Sequence, residues 1–271
     1  MKLPDSTSIS GVTLNVSDLG AARSFYERVL GFRDSAGEKD LVALGAGNGQ
    51  PPFLYLRKVS GGRNSPGRTA GLYHVAYLFP SRAALGSRLR RIADAGYPLQ
   101  GAADHLVSEA LYLADPEGNG IELYVDRPRS EWRWNGTQLA MATDPLDLRS
   151  LLRDAGNASA SIPPETNVGH VHLQIGDLGR GEEFYGGLLG FDVTQRSYPG
   201  ALFLSAGGYH HHIGLNIWGG SNIPPRQKSD PGLASISIRV PDASVINDIM
   251  ARSGHGSPLT DPDGIRVALH V

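Results

Sequence analysis

The feature that most constrains this chain is that it repeats itself. Residues 12–32 read VTLNVSDLGAARSFYERVLGF and residues 171–191 read VHLQIGDLGRGEEFYGGLLGF, identical at ten of 21 positions without a gap. Chance does not produce that agreement, so the two segments are copies and must fold alike. Each copy alternates as a strand and reaches an Asp-Leu cap. It then sets apolar residues at helical spacing (Ala22, Phe25, Tyr26 and Val29 in the first) until Gly-Phe stops the helix. Strand-like runs at 41–44 and 53–56 follow, which makes the unit βαβββ. A second unit begins at Gly71 with a strand, continues as an amphipathic helix from Ser81 to Gly96 (Leu85, Leu89, Ile92 and Ala93 on one face), and ends in a strand, a turn and a strand. The fourth unit echoes the second: 232–241 matches 71–80, and DPDGIRVALHV at 261–271 matches DPEGNGIELYV at 115–125. The expected fold is α+β, with four βαβββ modules in two paired domains and curved mixed sheets forming cups. The expected boundaries are 1–126, a linker with a short helix at 127–166 (helix 145–155), and 167–271. The glycine-rich connector 60–71 reads as a surface loop.

Glu122 is the residue that asks for chemistry. It follows the turn Asp115-Pro116-Glu117-Gly118-Asn119-Gly120 and sits between Ile121 and Leu123, with Tyr124 beyond. A carboxylate in a strand that is apolar on both faces is expensive unless it is paired or bound to metal. The alternative is a rim glutamate facing solvent. The chain contains no cysteine, which excludes disulfides, thiolate metal sites and cysteine nucleophiles, so any metal must be held by His, Asp or Glu. Its 25 basic and 27 acidic residues are well mixed, which leaves no basic stripe for nucleic acid and no polybasic membrane patch. No apolar leader or membrane-length run is present, and the expectation is a cytoplasmic protein that acts on small molecules.

Aligning the repeats finds partners for Glu122. A histidine heads the first strand of modules two (His74) and three (His170), where modules one and four have Gly11 and Ser235. Module four has Ala268 in the place of Glu122. A lone histidine at a strand head is ordinarily a hydrogen-bonded core residue. Three such positions under one repeat alignment argue instead for a metal held by His74, Glu122 and His170. Neither half of the chain completes the triad alone, so module two must pair with module three across the halves, and module one with module four. His172 shares the strand face of His170 but aligns with Thr13, and is set aside. His255 and His270 fall in the ligand-poor modules and read as structural.

The paired modules, with GLYHVAYLFPSR (71–82), DHLVSEALYLADPEGNGIELYVDRPRS (104–130) and ALFLSAGGYHHHIGLNIW (201–218), resemble the vicinal oxygen chelate superfamily (glyoxalase, bleomycin resistance and extradiol dioxygenase). Within it they resemble the bacillus-type two-domain catechol 2,3-dioxygenases, over nearly all of the chain. The resemblance implies Fe(II), with Mn(II) suited to the same ligands, on a facial two-His, one-carboxylate triad. It implies a catechol-type substrate with O2 and a homo-oligomer. In better-known members the three ligands lie in consecutive modules of the C-terminal domain, an order this chain does not follow. By register with the family, His211 is the acid–base residue near the O2 side, with His210 and His212 facing the opposite way. Tyr112 hydrogen-bonds the bound catecholate, and His105 stands in a loop closing over the pocket. Two other readings are a glyoxalase-like isomerase or thiol transferase, whose metal needs further glutamates, and a non-catalytic protein that sequesters a small molecule in the cup.

Overall fold

The computed structural model describes residues 2–60, 69–156, 159–227 and 229–271, so most of the connector expected at 60–71 lies outside the described residues. Module one is β1 (Ser8–Val16), α1 (Leu19–Arg28), β2 (Arg33–Glu38), β3 (Leu41–Gly45) and β4 (Leu54–Lys58). Module two is β5 (Gly71–Leu78), α2 (Arg82–Asp94), β6 (Gly101–Asp104), β7 (Ser108–Ala114) and β8 (Gly120–Asp126). The linker holds three two-residue strands, β9 (Trp134–Asn135), β10 (Gln138–Leu139) and β11 (Asp144–Pro145), and the helix α3 (Leu148–Asp154). Module three is β12 (Asn167–Gln174), α4 (Leu178–Glu182) running on as a π-helix over Glu183–Leu189, β13 (Asp192–Gln195), β14 (Ala201–Ser205) and β15 (Ile213–Asn216). Module four is β16 (Gly232–Arg239), α5 (Ala243–Ser253), β17 (Leu259–Thr260) and β18 (Arg266–His270). Only two described strands follow α5, where three were expected: the run from Gly254 to Ile265 is far shorter than its counterpart in module two and leaves no length for the third.

The modules pair as the ligand pattern required. One nine-stranded mixed sheet has the order β11-β6-β7-β8-β5-β12-β15-β14-β13 and joins modules two and three. A seven-stranded sheet, β17-β18-β16-β1-β4-β3-β2, joins modules one and four. Each sheet therefore takes one module from each half of the chain. Within each half, the two modules stay tied by a different contact. Tyr26 of α1 donates its hydroxyl to Asp115 in the turn before β8 (3.1 Å), and Tyr185 donates to Asp261 before β18 (2.9 Å). Asp115 also accepts the backbone N–H groups of Glu117 and Asn119, and Asp261 those of Asp263 and Ile265. The Phe-Tyr and Asp-Pro motifs of the repeats are thus a buried staple between helix and turn. A buried carboxylate there is tolerated because its oxygens are satisfied.

Side chains on one face of the β8–β5–β12 ribbon (Ile121, Leu123, Val75, Tyr77, Val171, Leu173) enter the main core. Glu122, Tyr124, His74, Ala76, His170 and His172 occupy the other, concave face. The alternation in β12 is interrupted at a bulge between Val168 and His170, so that Val168 and Val171 both face the core. A compensating irregularity in β5 at Tyr73 restores register. The two glycines at the turn before β8 have different reasons to be there. Gly118 takes a positive φ (83°), whereas Gly120 serves close approach: a Cβ there would sit 1.9 Å from the Tyr73 carbonyl oxygen, backbone that cannot step aside. Gly120→Ala is therefore expected to cost about 3 kcal/mol or more, the upper range for overpacking, measured by urea unfolding.

Candidate metal centre

The concave face brings the three expected ligands together by register alone. Glu122 on β8 stands opposite Ala76 on β5, which stands opposite His170 on β12. His74, two residues before Ala76, stands opposite His172. Ala76 contributes only a methyl group to this row, so Glu122 and His170 meet across it. The His74 Nε2 and His170 Nε2 atoms lie 3.0 and 3.3 Å from Glu122 Oε2, and one ligand atom from each residue falls within a 4.8 Å cluster. All three side chains are buried. At position 122 the solvent-facing alternative is excluded, since Glu122 is 3% exposed.

The residues fit a divalent metal. His74 Nε2 is buried and makes no hydrogen bond, although it lies beside a carboxylate oxygen. His170 is held neutral: burial lowers its pKa to about 4 against the pull of the Glu122 charge. Neutral imidazole nitrogens and a carboxylate oxygen aimed at one point are what a metal requires. Two nitrogens and one carboxylate suit Fe(II) or Mn(II), and leave further positions for substrate.

A cavity of about 440 Å³ opens onto two of these ligands, His74 and Glu122. Tyr112 on β7 lines it directly opposite Glu122, and its hydroxyl meets His105 Nε2 at 2.5 Å. His105 Nδ1 donates to the Ala142 carbonyl (2.6 Å), which leaves Nε2 to accept the Tyr112 proton. The roof over the cavity is the linker stretch Met141-Ala142-Thr143, fastened to module three by the Thr143–Tyr198 hydroxyl pair at 2.8 Å. His105 itself is part of the wall and is bonded to that roof. Burial and the Glu122 charge push the Tyr112 phenol well above its ordinary range, so it remains a donor.

His211 also lines the cavity, its ring centroid 4.0 Å from that of His170. His210 and His212 both stay out of the cavity lining and lie against Tyr209, but strand alternation is not the cause. Residues 210–212 precede β15 as irregular backbone, so a strand's period of two does not apply to them. His210 Nδ1 lies 2.7 Å from His211 Nδ1, while His212 turns aside and accepts the Ala206 N–H. His172, set aside on sequence, is buried and lines the cavity with Tyr73, Phe203 and Trp218. His255 and His270 take no part in it. The sequence reading missed Asp126, which accepts from His210 Nε2 at 3.0 Å. Its one signal was an acidic residue directly after Glu122-Leu-Tyr-Val. No described helix is long and apolar enough to cross a membrane.

Comparison with known proteins agrees with this architecture. Residues 8–123 match the model of the Glyoxalase/Bleomycin resistance protein/Dioxygenase superfamily. The chain is 41% identical to catechol-2,3-dioxygenase of Bacillus subtilis over 93% of its own length and 89% of that protein. Over 58 residues it is 36% identical to biphenyl-2,3-diol 1,2-dioxygenase 3 of Rhodococcus globerulus, covering 21% of this chain and 30% of that protein. The fold of glyoxalase I from Zea mays superposes with a TM-score of 0.56 at 17% identity, over 97% of this chain and 92% of that one. The chain belongs to the glyoxalase/bleomycin resistance protein/dioxygenase (vicinal oxygen chelate) superfamily, as a catechol-2,3-dioxygenase-like enzyme.

Proposed function

We propose that the protein is an Fe(II)-dependent extradiol dioxygenase that opens a catechol beside its diol to give a 2-hydroxymuconate semialdehyde-type product. The observation that carries this reading is the convergence of His74, Glu122 and His170, the first two lining a cavity whose other lining residues include Tyr73, Phe203 and Trp218. Those walls suit a planar ring, and a cavity of this size is in the range of small-molecule sites. Bound to the triad, the iron would supply Lewis acidity toward the diol oxygens and the one-electron chemistry that dioxygen requires.

The remaining work falls to side chains. Tyr112, kept protonated by burial and the Glu122 charge, turns its one hydroxyl proton from His105 to the diol when substrate binds. His211, neutral because burial and the surrounding imidazoles lower its pKa well below the ordinary value, is available to take and return a proton on the opposite side. Tyr112→Phe removes one hydrogen bond to a charged group, worth about 1.5–3 kcal/mol, and is expected to lower kcat/KM roughly 10–100-fold in steady-state kinetics.

The activity is tested by loading the protein with Fe(II) under argon, adding catechol, admitting air and recording visible absorbance. A yellow ring-fission product supports the reading. Stoichiometric iron with no oxygen uptake across a series of substituted catechols would sink it.

A further inference from the structure

Behind His211 a hydrogen-bonded chain runs away from the cavity and ends at the half-buried Asp126. His211 Nδ1 meets His210 Nδ1 at 2.7 Å, and His210 Nε2 meets Asp126 Oδ1 at 3.0 Å. Tyr209 donates its hydroxyl to the same Asp126 oxygen (3.1 Å) and pairs with the Tyr124 hydroxyl at 2.6 Å. His210 is completely buried, whereas the Asp126 side chain is 26% exposed. The rings are locked from the sides: His210 lies against Trp132, Tyr124 and Tyr209.

The direction of these bonds follows from what each atom can do. A carboxylate oxygen only accepts, so His210 Nε2 carries the proton and donates to Asp126. In its neutral form His210 then has a bare Nδ1, which can only accept. His211 must then donate from its own Nδ1, leaving its Nε2 without a proton. A histidine's outer partner fixes its tautomer in this way.

We infer that Asp126, acting through His210, is a positioning residue that holds His211 in the Nδ1–H tautomer and turns an unprotonated Nε2 to the cavity. The inference rests on the reading of His211 given above only for its consequence. As the resting ring offers the cavity a lone pair, Nε2 takes a proton from a diol hydroxyl as that O–H bond breaks. The proton His211 later returns is that same one. While the ring is charged, its Nδ1–H remains bonded to His210, whose Nε2–H faces the Asp126 carboxylate. The geometry also gives the trio His170, His210 and His211 a simpler role than a second metal site. The 2.7 Å Nδ1–Nδ1 separation is a hydrogen-bond length, and His170 already faces Glu122.

The test is long-range proton–nitrogen NMR of metal-free protein labelled with 15N-histidine, signals being assigned with single His variants. Wild-type protein is expected to show His211 protonated on Nδ1 and bare on Nε2. In His210→Phe and Asp126→Leu the Nε2–H form should appear. In Tyr209→Phe, which removes the carboxylate's other donor, the Nδ1–H form should persist. With iron bound, His210→Phe is expected to lose roughly 10–100-fold in kcat at unchanged KM, the usual effect of an outer partner. Wild-type protein with its His211 proton on Nε2, or an unchanged tautomer in both variants, would overturn the inference. An Nδ1–H signal in a protein that opens no catechol would leave the positioning intact and remove only the activity.

Discussion

Glu122→Ala is expected to yield a folded protein that no longer retains a divalent metal. Outer partners of metal ligands alone are worth about 10–100-fold in affinity, so loss of the sole charged ligand should weaken binding by more than about 100-fold. The variant also removes the one negative charge from a pocket that holds His74, His170 and His172, all buried. The metal's charge would then have no counter-charge in that low-dielectric setting. Equilibrium dialysis against Fe(II) or Mn(II), with metal content read by atomic absorption, measures the effect. Glu122→Gln keeps the shape without the charge and separates the two contributions: it should bind nearly as poorly as Glu122→Ala, because charge does most of the work.

The second large effect is expected at His211. Replacement by alanine should leave metal content unchanged, since its ring stands beside His170 without belonging to the triad. Turnover should fall about 10²–10⁴-fold, the range for losing a positioned acid–base group. Rapid mixing of oxygenated buffer with the catechol-loaded variant distinguishes this from poor binding: substrate binding should be normal and product formation slow. Wild-type turnover in His211→Ala with a full complement of metal would take this residue out of the mechanism.

Much of this was legible in the sequence because duplication turns a single chain into its own alignment. Gly11, Ser235 and Ala268 marked the modules that fold without the candidate ligands, and the scattering of His74, Glu122 and His170 over both halves called for sheets that cross between them. The sheet order bears that out. Strand period and repeat register carry such information because they are local. Contacts between irregular segments are not local. The orientation of His210 and His211 depends on a turn before β15, and the Asp126–His210 contact spans 84 positions. His172 was undervalued for a similar reason. Its repeat partner, Thr13, lies in the seven-stranded sheet, so alignment reported the companion's needs and not those of the cavity. The role of Gly120 was hidden as well, because a glycine required for close approach looks like a glycine required for positive φ until its neighbour Tyr73 is placed.

The central claim is that one metal is held by both halves of the chain, and His170 tests it most directly because it is the lone contribution of the C-terminal half. His170→Ala and His74→Ala should be loaded with Fe(II) in parallel, their metal content measured, and each mixed with catechol and air. Both are expected to lose metal and to form no yellow product, while their unfolding transitions remain cooperative. Full iron and ring cleavage in His170→Ala, with both lost in His74→Ala, would contradict the shared site and confine the metal to the N-terminal half.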